Sequence, residues 1–268
     1  MSLSQTSLRN RNDRPGLLLV GHETREAAGL EELRSAARQL ATACPQAVVE
    51  HCFLELAEPT IAEGVARCAE QGVQRLTVQP LLLFAAGHIK RDIPDEVNQA
   101  VRGHPGLEAN LAAPLGCHPR MLELSELRFD EALASRPVVA DEETVLLMVG
   151  RGSRDPEANS EMARFSRLRW EQRPLGWVLT CYLAMTWPSL ADGLAAAAAL
   201  AKRRVVVQPH LLFRGELLTR VQEETAAAAD RHADKEWIVA SHLGPHPLLV
   251  DALAALSGLG PSPAPAAS

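Results

Sequence analysis

An internal repeat limits what this chain can fold into more than any other feature of its sequence. Gly16-Leu-Leu-Leu-Val-Gly-His22 returns as Val145-Leu-Leu-Met-Val-Gly-Arg151, 129 residues further on. At the same offset Arg25 meets Arg154, Phe53-Leu54 meets Tyr182-Leu183, Pro59 meets Pro188 and Gly64 meets Gly193. Gln79-Pro80 with Phe84 meets Gln208-Pro209 with Phe213, and Leu115-Gly-Cys-His-Pro119 meets Leu243-Gly-Pro-His-Pro247 at an offset of 128. A nearly constant offset over seven such pairs identifies a tandem duplication. The 268 residues therefore divide into a tail at 1–13, a first copy at 14–130, a connector at 131–142, a second copy at 143–257 and a Pro/Ala/Ser-rich tail at 258–268.

Each copy alternates short apolar runs with helical spacing. Leu17 to Val20, closed by Gly21, has the pattern of a strand buried on both faces. Leu30, Leu33, Ala37 and Leu40 follow at helical spacing, then a strand over Ala47 to Leu54. Pro59 is expected in the first turn of the next helix, whose inner face carries Ile61, Val65 and Cys68. A third strand over Leu76 to Phe84, a helix from Gly87 to Arg102, a fourth strand over Leu107 to Ala112 and a helix over Pro119 to Leu127 complete the copy. The expected fold is α/β: two tandem lobes, each a small parallel sheet flanked by helices, with a cleft between them.

Composition narrows the function. With 27 basic against 33 acidic residues, net −6, and a pI near 5.9, the chain is no general binder of nucleic acid or anionic membrane. No apolar run of bilayer length occurs, and the polar Met1 to Pro15 segment lacks the apolar region of a signal peptide. Five cysteines without a CxxC pair read as reduced thiols of a cytoplasmic protein.

Parallel α/β sheets bind ligands at the carboxyl ends of their strands. There the first copy places His22, Glu55 and His88, one per strand, at regular spacings of 33 residues. Two imidazoles and a carboxylate suit a borderline divalent metal with open positions, and the imidazoles can also take protons near neutral pH. The second copy has Arg151, Ala184 and Leu217 in their places, so one lobe reads as catalytic and the other as degenerate. Arg25, Lys90 and Arg91 in one half and Arg151, Arg154, Arg214 and Arg220 in the other form a cationic set for a polyanionic ligand. His118 and His246 read as helix caps, His104 as a turn residue, and His210 as a candidate for facing the cleft.

The motifs Leu-Leu-Val-Gly-His22, Phe53-Leu-Glu55-Leu-Ala-Glu-Pro59 and Pro80-Leu-Leu-Leu-Phe-Ala-Ala-Gly-His88-Ile-Lys-Arg-Asp-Ile93 resemble the sirohydrochlorin cobaltochelatase family, the class II tetrapyrrole chelatases. Gly150-Arg-Gly-Ser-Arg-Asp-Pro156 is similar to the degenerate half of the family's long, two-lobed bacterial members. The resemblance implies insertion of a divalent metal, Co²⁺ first and Fe²⁺ or Ni²⁺ as alternatives, into sirohydrochlorin for cobalamin or siroheme. It implies His22 and His88 as metal-binding and catalytic histidines and Glu55 as the accompanying acid; Arg25, Lys90, Arg91, Arg151 and Arg154 are read as substrate-binding from their charge and their place at the cleft edge. The chain departs from the family pattern at Glu23, where glycine is usual, and no iron–sulfur cluster is expected. Two other readings stay open: a metal or tetrapyrrole carrier without turnover, and a histidine phosphatase, which would want arginine where Gly21 stands. The sequence leaves the oligomeric state open, and a monomer is compatible with it.

Overall fold

The computed structural model describes residues 14–21, 26–54, 57–86 and 89–260. The apolar run Gly16–Gly21 forms strand β1, buried at every residue, and its repeat Thr144–Gly150 forms β5, buried likewise. Such runs are stable only when both faces of the sheet are covered. Side chains that alternate across β1 enter different cores: Leu18 and Val20 pack toward one set of helices, Leu17 and Leu19 toward another.

The first lobe runs α1 (Ala27–Ala43), β2 (Val48–Phe53), α2 (Ile61–Glu70), β3 (Arg75–Leu81), α3 (Ile89–Val101), β4 (Glu108–Leu111) and α4 (Pro119–Leu133). A single 3₁₀ turn at Asp141–Glu143 leads into the second lobe. That lobe continues from β5 through α5 (Pro156–Gln172), β6 (Trp177–Tyr182), α6 (Leu190–Ala199), β7 (Arg204–Pro209), α7 (Glu216–Arg231), β8 (Glu236–Val239) and α8 (Pro247–Leu256). Each lobe holds one parallel four-stranded sheet, in the orders β2-β1-β3-β4 and β6-β5-β7-β8. The expected architecture of two parallel sheets flanked by helices is the one observed.

Three cores hold the molecule. Leu18, Cys52, Ile61, Val65, Val78 and Ile93 fill the outer side of the first sheet, and Leu147, Cys181, Leu190, Val207 and Val221 fill the outer side of the second. The inner core is shared: Leu17, Leu33, Leu40, Met121 and Phe129 of one lobe pack with Leu146, Phe165, Leu249 and Leu253 of the other. Helices α1, α4, α5 and α8 therefore lie between the two sheets and fuse the lobes. A polar network crosses the same layer. The guanidinium of Arg169, fully buried, donates to Ser125 Oγ at 3.1 Å and to Glu126 at 2.6 Å, and Gln208 donates to the Ser125 carbonyl at 2.6 Å.

The repeat has local physical causes. Gly64 and Gly193 sit where helices α2 and α6 press onto their sheets. A Cβ at Gly64 would stand 2.7 Å from Leu18 Cδ1, and one at Gly193 2.7 Å from Cys181 Cβ. Both helices open with a capping box, Thr60 with Glu63 and Ser189 with Asp192. Three sequence expectations need correction. Pro59 precedes the cap Thr60 instead of lying in the first turn, because the hydroxyl of Thr60 is needed for the Glu63 amide. Strand β3 stops at Leu81, level with Gly21, the last residue of its neighbour β1. Helix α4 continues to Leu133 because Phe129, Ala132 and Leu133 extend its apolar face into the shared core.

Candidate functional site

Strand order decides which sequence candidates can meet. In the first sheet β1 is flanked by β2 and β3, and Gly21 stands in register with both Phe53 and Leu81. The carboxyl ends of these three adjacent strands are therefore level. The Leu54 amide donates to the Gly21 carbonyl at 3.1 Å, carrying the β1–β2 pairing one residue past the strands. His22, Arg25, Glu55 and His88, which follow these ends in the chain, lie outside the described residues. Among the described residues no group of three or more His, Cys, Asp or Glu side chains is placed to hold a metal ion.

The described cations fall into two kinds. Arg91, Arg151 and Arg154 are exposed, and among the described residues no acidic side chain pairs with them. Lys90, Arg214 and Arg220 are already engaged. Lys90 reaches across the lobes to Asp155 at 2.8 Å and Glu157 at 2.5 Å, and these hydrogen bonds hold its ammonium charged, with the pKa raised. Arg214 reaches the other way, its guanidinium 3.1 Å from Glu32 on α1 and its backbone amide donating to the same carboxylate. Arg220 is paired with Glu224 at 2.6 Å and donates to the Leu183 carbonyl.

The histidines sort by environment. His118 and His246 cap α4 and α8: each Nδ1 accepts a backbone N–H two residues on, from Arg120 and Leu248, and proline follows each cap. His242 lies 3.2 Å from both oxygens of Glu32; burial lowers its pKa while Glu32 opposes. His210 does not face the cleft. It is buried in the shared core between Phe84 (ring centroids 5.5 Å apart) and Phe165 (4.2 Å), and among the described residues neither ring nitrogen has a hydrogen-bond partner. Burial alone pushes its pKa down to about 3, so the ring is neutral at physiological pH. Its position is that of Leu81 in the first lobe, an apolar core site.

Helix register also corrects one equivalence. Ile93, Val97 and Ala100 on the inner face of α3 match Val221, Thr225 and Ala228 on α7 at an offset of 128. The second copy has therefore lost one residue between Phe213 and Glu216, and Glu216, not Leu217, occupies the place of His88. The second lobe's counterpart of Lys90 is Leu218. Reading the strands alone misses this slip; the pairing of Gly87 with Gly215 is the sequence signal for it.

Sequence reasoning did not single out Glu32, Asp155, Glu157 and His242, all engaged at the boundary of the lobes. A cavity of about 400 Å³ lies beside two of these contacts, lined among others by Glu26, Ala28, Arg214, Leu218 and His242, with α1 on one side and α7 on the other.

The CbiX family model matches this chain twice, at residues 16–132 and 145–257, the two lobes just described. A sirohydrochlorin cobaltochelatase of Priestia megaterium is 32% identical over 234 residues, covering 87% of this chain and 76% of that protein. A sirohydrochlorin ferrochelatase of the same organism is 33% identical over 230 residues, covering 86% of this chain and 84% of the relative. Among solved structures, SirB from Bacillus subtilis with Fe³⁺ superposes with a TM-score of 0.81 at 26% identity, covering 90% of this chain and 92% of that one. With both lobes matched, the chain belongs to the CbiX family.

Proposed function

We propose that this protein inserts a divalent metal, Co²⁺, into sirohydrochlorin. The observation that carries the reading is the level alignment of Gly21, Phe53 and Leu81 on three adjacent parallel strands, after which the chain supplies His22, Glu55 and His88. The names of the two Priestia relatives support the substrate. In this reading the metal is a substrate. His22 and His88 hold it as neutral imidazoles, which are ligands without being so strong that release is blocked. Metal entry displaces two pyrrole N–H protons; Glu55 accepts them in turn and passes them to solvent. Arg151, Arg154, Arg91 and Arg25 meet the peripheral carboxylates of the macrocycle, where a guanidinium fork binds a carboxylate in two places. Lys90, shared between Asp155 and Glu157, stands outside this set.

Cobalt, iron and nickel all suit two imidazoles and a carboxylate, and affinity order does not choose among them. The near-equal identities to a cobalt and an iron enzyme, 32% and 33%, leave the same choice to experiment. The test is metallation of sirohydrochlorin by the pure protein with Co²⁺, Fe²⁺ and Ni²⁺ in parallel, followed by absorbance. Fastest acceleration with Co²⁺ is expected. Acceleration only with Fe²⁺ would move the assignment to a ferrochelatase, and binding without acceleration would make the protein a carrier.

A further inference from the structure

The carboxyl end of β6 carries exposed apolar side chains on a strained turn. Trp187 is 82% exposed and Met185 52%. Met185 has a φ of 65°, a left-handed conformation that favours glycine, and among the described residues it is the one non-glycine with positive φ. The Thr186 amide donates to the Ala184 carbonyl at 2.9 Å. A bond from residue i+2 to residue i around a residue of positive φ makes the rare, strained form of γ-turn. The turn is pinned on two sides. Its neck is closed by the Tyr182 amide, which donates to the Pro188 carbonyl at 2.9 Å. Its flank lies on the loop between β5 and α5: the Ala184 amide donates to the Arg151 carbonyl at 2.9 Å, and a Cβ at Gly152 would stand 1.9 Å from the Ala184 oxygen. The loop that carries the exposed Arg151 and Arg154 and the turn that carries Met185 and Trp187 are therefore one packed unit. That loop ends at Asp155, which lies 2.8 Å from Lys90, two residues after His88.

The duplication gives these residues a chemical meaning. Ala184-Met-Thr-Trp187 stands where the first lobe has Glu55-Leu-Ala-Glu58, and Arg151 stands where it has His22. Two carboxylates have become a methyl group and an indole, and an imidazole has become a guanidinium. The exchange removes negative charge, adds permanent positive charge and adds an exposed aromatic ring. The result complements a flat conjugated ring with carboxylates at its rim: apolar and aromatic area suits the face, and a guanidinium suits the rim. Backbone strain persists only where the surroundings hold it, and here it holds two apolar side chains in solvent beside that cation.

We propose that the second lobe is the macrocycle-holding half, in which Trp187 and Met185 cover one face of sirohydrochlorin while Arg151 takes a carboxylate at its rim. The inference rests on the chelatase reading above and adds two substrate-binding residues to it. They lie in the lobe whose strand ends otherwise read only as having lost the histidines and the acid.

The test reads binding without metal. Kd for metal-free sirohydrochlorin is measured from the change in the ligand's own visible absorbance, so tryptophan substitutions leave the signal intact. Trp187→Ala should raise Kd about tenfold, while Trp187→Phe, which keeps a ring, should stay within about threefold of wild type. Trp187→Glu, which restores the residue type of Glu58, should raise Kd beyond Trp187→Ala, and the excess should shrink in high salt because it is repulsion between carboxylates. Met185→Gly separates the side chain from the backbone: glycine suits the φ of 65°, so thermal unfolding should stay near the wild-type temperature while Kd still rises severalfold. Wild-type Kd in both Trp187→Ala and Met185→Gly would overturn the assignment. So would a wild-type dimer that Trp187→Ala makes monomeric at unchanged Kd, since the indole would then belong to a contact between copies. The chelatase reading fails separately: a wild-type protein that binds sirohydrochlorin without accelerating metal insertion overturns it, and the Kd comparison still decides the assignment of Trp187 and Met185.

Discussion

Replacing His210 with leucine should stabilise the protein, and by an amount that grows as pH falls. His210 is buried, with no partner among the described residues for either ring nitrogen, and its folded-state pKa is pushed down to about 3 from an ordinary value of 6.5. Between these two values only the unfolded chain takes the proton. The folded state is therefore free of this penalty above pH 6.5 and loses stability progressively as pH drops toward 3, by up to about 1.4 kcal/mol per pH unit. At pH 5 the loss is about 2 kcal/mol. At pH 7.5 the unpaired donor and acceptor cost about 1–3 kcal/mol, partly offset by the ring contacts with Phe84 and Phe165, worth about 0.5–1.5 kcal/mol. Leucine already occupies the equivalent site at Leu81, 2% exposed, so the replacement suits this environment. Urea unfolding of wild type and His210→Leu should then show the variant more stable by about 1 kcal/mol at pH 7.5 and by about 3 kcal/mol at pH 5. In thermal scans each kcal/mol corresponds to about 2–4 °C for a chain of this size. An advantage of the same size at both pH values would refute the reasoning, because the buried imidazole would then not be resisting protonation.

Other substitutions test the packing and the caps. Gly193→Ala gains about 1 kcal/mol of helix propensity but drives a methyl to 2.7 Å from Cys181 Cβ, so a net loss of about 1–2 kcal/mol is expected in urea unfolding. Ser125→Ala removes the hydroxyl that accepts from both Arg169 and Gln208, and should cost about 1–3 kcal/mol by the same measurement. His118→Ala and His246→Ala each remove a capping acceptor and should each cost about 1 kcal/mol, with no change in the metal dependence of activity.

Much of the fold was legible because its signals are local. Apolar runs closed by glycine at Gly21 and Gly150 mark buried parallel strands, and the His-Pro pairs at His118 and His246 mark helix starts, where both were found as caps. Boundaries were less legible. Leu82 to Phe84 is as apolar as a strand, but β3 ends at Leu81 and the Leu82 and Leu83 carbonyls accept from the Leu115 and Gly116 amides of the loop before α4. The equivalence of His88 with Glu216 required the helix registers, since a one-residue deletion is invisible where no strand spans it. His210 looked like a site residue because it follows a strand; the side chains that bury it, Phe84 and Phe165, come from the other lobe and from α5. Lys90 was legible as a cation but not as half of an ion cluster, because its partners are more than sixty residues away and meet it only when the lobes join.

The central claim is that His22, Glu55 and His88 metallate sirohydrochlorin, and one measurement reaches it directly: the initial rate of Co²⁺ insertion by wild type and by His88→Ala, against a protein-free control. The account predicts clear acceleration by wild type and a loss of about 100-fold or more in the variant. A His88→Ala protein that metallates at the full wild-type rate would contradict it.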